Sequence, residues 1–269
     1  MAITKRSDGM DVDSIQNMYT SNEYIKKNPS LHEEDSPWKV SKIIPIVDKM
    51  FTEHIPYTKE INLLDVGGGA GIIMRDISNY IEKHYDIHVN KYAIDLSPGM
   101  LEIQKKNNPS LKTFNEDICE TSLANKEIDI TLMIDVLEHV SDPKRALEEL
   151  QRISNVVIFK VPLELTAISY TWNIVKRGKP RKHAIETIGH INVYSTDSLK
   201  RQIEEYCGEI SYVCFTNVFD YYINSEHYKQ KLSNKSKIIN RIGSNIFKVS
   251  PTLCSYLISD FAMILTKCK

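Results

Sequence analysis

The sequence has no apolar run approaching the roughly 18 residues a membrane span requires, and Met1 to Ser14 contains no signal-like apolar stretch. Its five cysteines (Cys119, Cys207, Cys214, Cys254 and Cys268) are odd in number and form no C-x-x-C pair. That disfavours a disulfide framework and a zinc cluster alike. Neither charge sign is in excess: Lys+Arg 34 against Asp+Glu 35 leaves a formal net charge of −1, so no global basic field steers the chain onto nucleic acid. Internal repeats and low-complexity tracts are also missing. What remains is 269 residues with 42% hydrophobic and 26% charged side chains. These are ordinary globular values, enough to bury one large α/β core without covalent or metal staples. A cytoplasmic protein with reduced thiols is expected.

From Ile61 to Val161 short apolar runs alternate with helical patterns. Strands are expected at Ile61 to Val66, Val89 to Asp95, Leu111 to Phe114, Ile128 to Ile134 and Val156 to Val161. Ile73, Ile77, Tyr80, Ile81 and His84 recur at helical spacing. Ser97-Pro98 and Asp142-Pro143 are cap and first-turn pairs opening two more helices. Such alternation predicts a mostly parallel sheet with right-handed crossovers. Two last strands are expected at Glu209 to Phe215 and Asp260 to Thr266. Residues 1–60 read as an N-terminal helical cap, with Ser36-Pro37 opening a helix through Val40, Ile43, Ile44 and Val47. Residues 61–269 read as the sheet domain, carrying insertions at about 163–194 and 218–256. The fold class is α/β, expected as a doubly wound, mostly parallel sheet of seven strands.

The decisive stretch is Leu63-Leu64-Asp65-Val66-Gly67-Gly68-Gly69-Ala70-Gly71, a strand running into a glycine turn that opens a helix. At the carboxyl edge of the first strand of a doubly wound sheet, such a turn is where a nucleotide-like ligand binds. The dinucleotide fingerprint G-x-G-x-x-G needs a glycine where Ile72 stands. The chain offers G-x-G-x-G instead, with Asp65 two residues ahead. A carboxylate there repels a pyrophosphate and suits an amine-bearing end, such as a sulfonium amino acid.

Asp65 to Gly71 resembles the first motif of class I S-adenosylmethionine-dependent methyltransferases, and further matches follow in the family's order. They are Tyr92-Ala93-Ile94-Asp95-Leu96-Ser97-Pro98, Asn115-Glu116-Asp117-Ile118 and Ile134-Asp135-Val136-Leu137-Glu138-His139-Val140. Gly189-His190-Ile191-Asn192-Val193-Tyr194-Ser195 is similar to a segment of the small-molecule and glycan branch. The resemblance spans roughly Ile61 to Phe215, plus a last strand near Phe261, and implies a Rossmann-like sheet whose last strand is antiparallel. It implies that S-adenosyl-L-methionine is held by Asp65, Gly67, Gly68, Gly69 and Gly71 at its methionine end. Asp95 and Leu96 would serve the ribose, Asp117 and Ile118 the adenine, and Ile134 would contribute backbone contacts. It also implies that an N-terminal helix closes the site; Lys39 is the candidate for the methionine carboxylate, with Lys42 one turn on.

A sulfonium already carries an activated methyl group, so alignment is the protein's main task. A hydroxyl acceptor also has to lose a proton, and His139 and His190 are the candidate bases. His54, His84, His88, His183 and His227 read as surface residues. Lys160 interrupts an apolar strand near its end and is expected to point to water, with an acidic partner as the alternative. No Asn-Pro-Pro-Tyr or Asp-Pro-Pro-Tyr string follows the fourth strand and no Pro-Cys follows the glycine motif, which disfavours nucleic acid as substrate. Two local basic regions qualify the neutral total: Lys176 to Lys182, and His227 to Lys248, where no carboxylate occurs. In the second, Ile238, Ile239, Ile242, Ile246 and Val249 trace an apolar stripe. The stripe reads either as the inner face of a lid or as a peripheral membrane contact. The expected acceptor is a small molecule or glycan methylated on oxygen, an anionic one (phosphorylated or lipid-linked) being the version the basic regions suggest. The rival readings are a nicotinamide-dependent oxidoreductase and a non-catalytic cofactor-binding protein. The oligomeric state is left open.

Overall fold

The computed structural model describes residues 30–31, 33–53 and 58–269. Of the cap predicted over 1–60, residues 1–29, 32 and 54–57, His54 among them, lie outside the described residues. Seven strands form one sheet: β1 (Glu60–Val66), β2 (His88–Ile94), β3 (Lys112–Phe114), β4 (Ile128–Ile134), β5 (Ser154–Pro162), β6 (Gly208–Phe215) and β7 (Phe261–Cys268). Their order is β3-β2-β1-β4-β5-β7-β6. The first five strands pair in parallel, and β7 runs antiparallel between β5 and β6.

Alternate residues of each central strand feed opposite cores, the period-two consequence of a pleated backbone. Leu63, Ile130 and Ile158 face one side, where α1 (Ser36–Glu53) and α2 (Ile72–Tyr85) bury Ile43, Val47, Met50, Ile73, Ile77 and Ile81. Leu64, Met133 and Phe159 face the other, against Leu147 and Leu150 of α4 (Pro143–Ile153) and Leu199 and Ile203 of α7 (Thr196–Tyr206). Because α1 shares a core with the sheet, the described part of the predicted cap is a layer of the same domain. Helix α3 (Pro98–Asn107) starts as its sequence predicts, with Ser97 Oγ accepting the Met100 N–H at 3.3 Å. Asp142 does the same for α4 through the Arg145 N–H at 3.1 Å.

The two insertions are helical. The first holds α5 (Ala167–Val175) and α6 (Lys179–Ile188). The second holds α8 (Val218–Asn224), α9 (Glu226–Lys229), α10 (Asn234–Val249) and α11 (Pro251–Leu257). Asp260, buried at the start of β7, accepts hydrogen bonds from Thr216 Oγ1 (2.8 Å) and from the N–H groups of Asn217, Val218 and Phe261. Those bonds fix the turn that sends α8 back across the carboxyl edge of the sheet. The stripe of α10 is oriented opposite to a lid's. Its packed side is Gly243 and Ser244, with Gly243 so close to Phe219 that a Cβ would lie 2.6 Å from the ring. Of the stripe, Ile238, Ile239, Ile242 and Val249 face outward, while Ile246 packs inward with Phe247 against Phe219 and Cys254.

Candidate active site

The carboxyl ends of β1, β2, β4 and β5 open into a cavity of about 470 Å³, roofed by α8 and α9 and closed at the side by the start of α1. Its floor is the glycine turn. Asp65, next to last in β1, folds its side chain beneath Gly68, so tightly that a Cβ on Gly68 would meet Asp65 Oδ2 at 2.2 Å. Gly67 and Gly69 hold positive φ and expose their backbone to the cavity. Asp65 is 1% exposed and its Oδ2 has no hydrogen-bond partner among the described residues. Burial, then the negative Asp95, raises its pKa to about 7. Asp95 lies at the neighbouring strand end, with Oδ1 accepting the Ser97 N–H at 2.9 Å and Oδ2 the Gln104 amide at 3.2 Å. Burial outweighs both bonds and raises Asp95 to about 6. Asp117 and Ile118 continue the same wall, and Asp117 Oδ1 accepts the Cys119 N–H at 2.9 Å.

On the opposite side stands a buried ion triad. Lys160 is wholly buried, and its ammonium donates to Asp135 Oδ1 at 2.5 Å while lying 3.3 Å from the centre of the Phe261 ring. Lys39 Nζ reaches the other oxygen, Asp135 Oδ2, at 3.0 Å. This corrects the expectation that Lys160 points to water: the register puts Ile134 beside Lys160, and the Asp135 N–H donates to the Lys160 carbonyl at 2.8 Å, so acid and base are held together by the backbone. Burial alone would raise the Asp135 carboxyl; Lys160 and Lys39 outweigh it and hold it well below the usual carboxylate range. Burial brings Lys160 down to about 8 despite Asp135.

Between these two regions lie the histidines. The His139 Nδ1–H donates to the Gly189 carbonyl at 3.0 Å, and the His190 Nδ1–H donates to Glu164 Oε1 at 2.8 Å. The rings meet edge to face, 4.8 Å apart. Burial, then His190, lowers His139 to about 4, so its ring is neutral at pH 7. Glu138, 1% exposed, is pushed well above the carboxylate range by burial and by Asp135. Two further walls are aromatic. Trp38 stacks on Tyr221 at 4.4 Å, and Tyr228 meets Tyr221 edge-on at 5.6 Å. Tyr221 and Tyr228 both donate to Asp35, at 2.7 and 3.3 Å.

The structure thus brings Lys39, Asp65, Gly67, Gly68, Gly69, Asp95, Leu96, Asp117, Ile118, Ile134, His139 and His190 onto one cavity. Gly71 lies off its wall: at φ 76 it precedes α2, and a Cβ there would crowd Asn108 and Gln104. Its glycine answers to that turn and its packing. Lys42 borders a separate shallow depression beside Trp38. His84, His88, His183 and His227 are exposed, as expected. Sequence reasoning missed Asp35, Trp38, Glu164 and the tyrosines. The crowding of Tyr221, Tyr222 and Tyr228 within eight positions of the insertion was the available signal.

Residues 64–155 match the sequence family described as "Methyltransferase domain". That stretch runs from β1 through α4 and carries the glycine turn, Asp95, Asp117 and His139. Over that stretch the chain is similar to methyltransferase domains, and its seven-stranded sheet with an antiparallel β7 is the methyltransferase fold. No curated protein sequence matches the chain. Among solved structures, the methyltransferase fold is shared with geranyl diphosphate C-methyltransferase from Streptomyces coelicolor A3(2), solved with Mg2+, geranyl diphosphate and S-adenosyl-L-homocysteine. The TM-score is 0.54 at 8% identity over 84% of this chain and 78% of that one. A Haloferax volcanii putative methyltransferase in complex with the activator Trm112 matches with a TM-score of 0.54 at 10% identity, over 97% and 99%. Haemonchus contortus phosphoethanolamine N-methyltransferase 2 matches with a TM-score of 0.51 at 13% identity, over 81% and 51%. The nicotinamide oxidoreductase suggested by a glycine-rich first turn is set aside by the methyltransferase match. Among the described residues no helix is long and apolar enough to cross a membrane.

Proposed function

We propose that this methyltransferase moves the methyl group of S-adenosylmethionine to a hydroxyl of a small-molecule or glycan acceptor bearing negative charge. The observation that carries the cofactor half is the orphaned, fully buried Oδ2 of Asp65 under a turn whose glycines leave no side chain in the way. A ligand with an ammonium group satisfies that oxygen and brings back the ionised carboxylate. Asp95 would take the ribose hydroxyls, Asp117 and Ile118 the adenine, and Leu96 and Ile134 the faces between them. Lys39 remains the candidate for the methionine carboxylate, since it lines the cavity beside the glycine turn. When bound, the cofactor supplies a sulfonium-activated methyl carbon.

The chain's own chemistry is then positioning and proton removal. Glu164 fixes the His190 tautomer with hydrogen on Nδ1, leaving Nε2 as the basic nitrogen on a ring that borders the cavity. His190 is the base. His139, kept neutral by burial, packs against that ring and sets its tilt. An anionic acceptor is supported by the cationic Lys176 to Lys182 segment, which runs into Thr187 and Ile188 on the cavity wall. Two structural neighbours are themselves described with phosphorylated small molecules.

Calorimetry and a methyl-label transfer assay test the two halves. The chain is expected to bind S-adenosylmethionine and not NAD, and Asp95→Asn to weaken binding by roughly 10–100-fold, the worth of a charge-assisted hydrogen bond pair. His190→Gln is expected to keep cofactor affinity while slowing label transfer by about 10²–10⁴-fold. Binding of NAD in place of S-adenosylmethionine would overturn the cofactor assignment. Unchanged transfer by His190→Gln would remove the base.

A further inference from the structure

Helix α5 is unusual for the surface of a water-exposed domain. Its sequence is Ala-Ile-Ser-Tyr-Thr-Trp-Asn-Ile-Val and none of its residues is buried. Ile168, Tyr170, Trp172, Ile174 and Val175 are each more than half exposed, Val175 at 64%. Helix α5 touches α11, and α11 packs against α10. On these neighbouring helices Leu253 and Tyr256 of α11 and Ile238, Ile239 and Ile242 of α10 are exposed as well. Soluble monomers rarely expose so many large apolar side chains on helices packed side by side without a partner.

The charge around the patch selects the partner. Directly after α5 come Lys176, Arg177, Lys179 and Lys182, all exposed, and Lys176 Nζ lies 4.7 Å over the Trp172 ring. Along α10, Lys235 and Arg241 flank the apolar stripe, and no carboxylate occurs between His227 and Lys248. An apolar face with tryptophan, rimmed by long cationic side chains, is what lies flat in the headgroup layer of an anionic bilayer. The rings and aliphatic chains enter the acyl boundary while the lysines reach lipid phosphates.

We infer that α5, α10 and α11 form a docking surface for an anionic membrane. The basic segment after α5 is α6, whose last residues, Thr187 and Ile188, line the cavity, and Ile188 is itself 45% exposed. The docked face thus reaches the mouth of the site, and an amphiphilic, lipid-borne acceptor enters from the bilayer. Entry of the acceptor rests on the methyl-transfer reading; docking does not.

Co-sedimentation of the full chain with vesicles tests this, using phosphatidylcholine alone and phosphatidylcholine mixed with phosphatidylserine. At least about tenfold more protein should pellet with the anionic vesicles, and raised salt should release it. The Trp172→Ser/Ile174→Ser and Lys176→Glu/Lys179→Glu variants alter exposed side chains only; each should lose that binding and keep the S-adenosylmethionine affinity of the parent. Equal binding to both vesicle types, none to either, or retention in both variants would overturn the proposal. So would sedimentation equilibrium showing a dimer that Trp172→Ser/Ile174→Ser dissolves, because a second copy would then cover the patch. Intact cofactor binding alongside failed docking separates this failure from failure of the methyl-transfer reading.

Discussion

Replacing Asp135 by Asn is the sharpest probe of the buried triad. Asparagine keeps the shape and tolerates the left-handed backbone at this position (φ 56), so backbone strain contributes little. What changes is charge: the wholly buried Lys160 loses its carboxylate partner at 2.5 Å, with Lys39 left nearby. The ammonium then surrenders its proton rather than stay buried without an acid. With Lys160 titrating at about 8 in the parent, that surrender at pH 7 costs on the order of 1 kcal/mol. Loss of the charge-assisted hydrogen bond adds ~1.5–3 kcal/mol, so a destabilisation of roughly 3–4 kcal/mol is expected. Urea unfolding followed by tryptophan fluorescence reports it, since Trp38 stands beside the triad. The pH dependence gives a second signature. In the parent, the unfolded chain holds the Lys160 proton more tightly than the folded one, so stability rises with pH above about 8. In the variant the same rise begins at lower pH, so the gap between the two should narrow by ~1 kcal/mol from pH 7 to 9. Adding Lys160→Met to Asp135→Asn removes both charges and should recover most of the loss. A single variant within ~1 kcal/mol of the parent, or a double variant as unstable as the single, would refute the reasoning.

Cofactor affinity should depend on Asp65. Its raised pKa of about 7 means that a cationic ligand expels a proton on binding, so affinity climbs up to about tenfold per pH unit below pH 7 and then flattens, and Asp65→Asn abolishes the proton release seen by calorimetry in two buffers. His139 should make the fold acid-sensitive: titrating at about 4 when folded against about 6.5 unfolded, it contributes at most ~3 kcal/mol, lost as pH falls across that interval, and His139→Gln should flatten the profile. Gly68→Ala should cost ~1–3 kcal/mol in thermal or urea unfolding, because Asp65 is too tightly packed to move away from the new methyl group.

Much of this molecule was legible residue by residue. The alternating runs placed every strand to within a residue or two, and Ser97-Pro98 and Asp142-Pro143 opened their helices as their chemistry requires. Asp65, Asp95 and Asp117 were readable as a group, because each follows or ends its own strand and parallel strands bring their carboxyl ends to one edge. Lys160 shows where such reading stops. Its place on a strand was plain, but its partner directly follows β4, 25 positions away, and only the pairing of β4 with β5 brings the two together. His190 and Glu164, Trp38 and Tyr221, and the outward stripe of α10 are of the same kind.

The sequence by itself determined the sheet, the glycine turn and the acids around it, since periodicity, caps and strand ends are consequences of local backbone geometry. Only the tertiary structure decided which buried charges pair, which histidine has a carboxylate behind it, and which face of each inserted helix meets water. Those outcomes depend on contacts between segments tens to nearly two hundred residues apart. There a helix with apolar residues on one side has the same pattern whether that side packs inward or faces out.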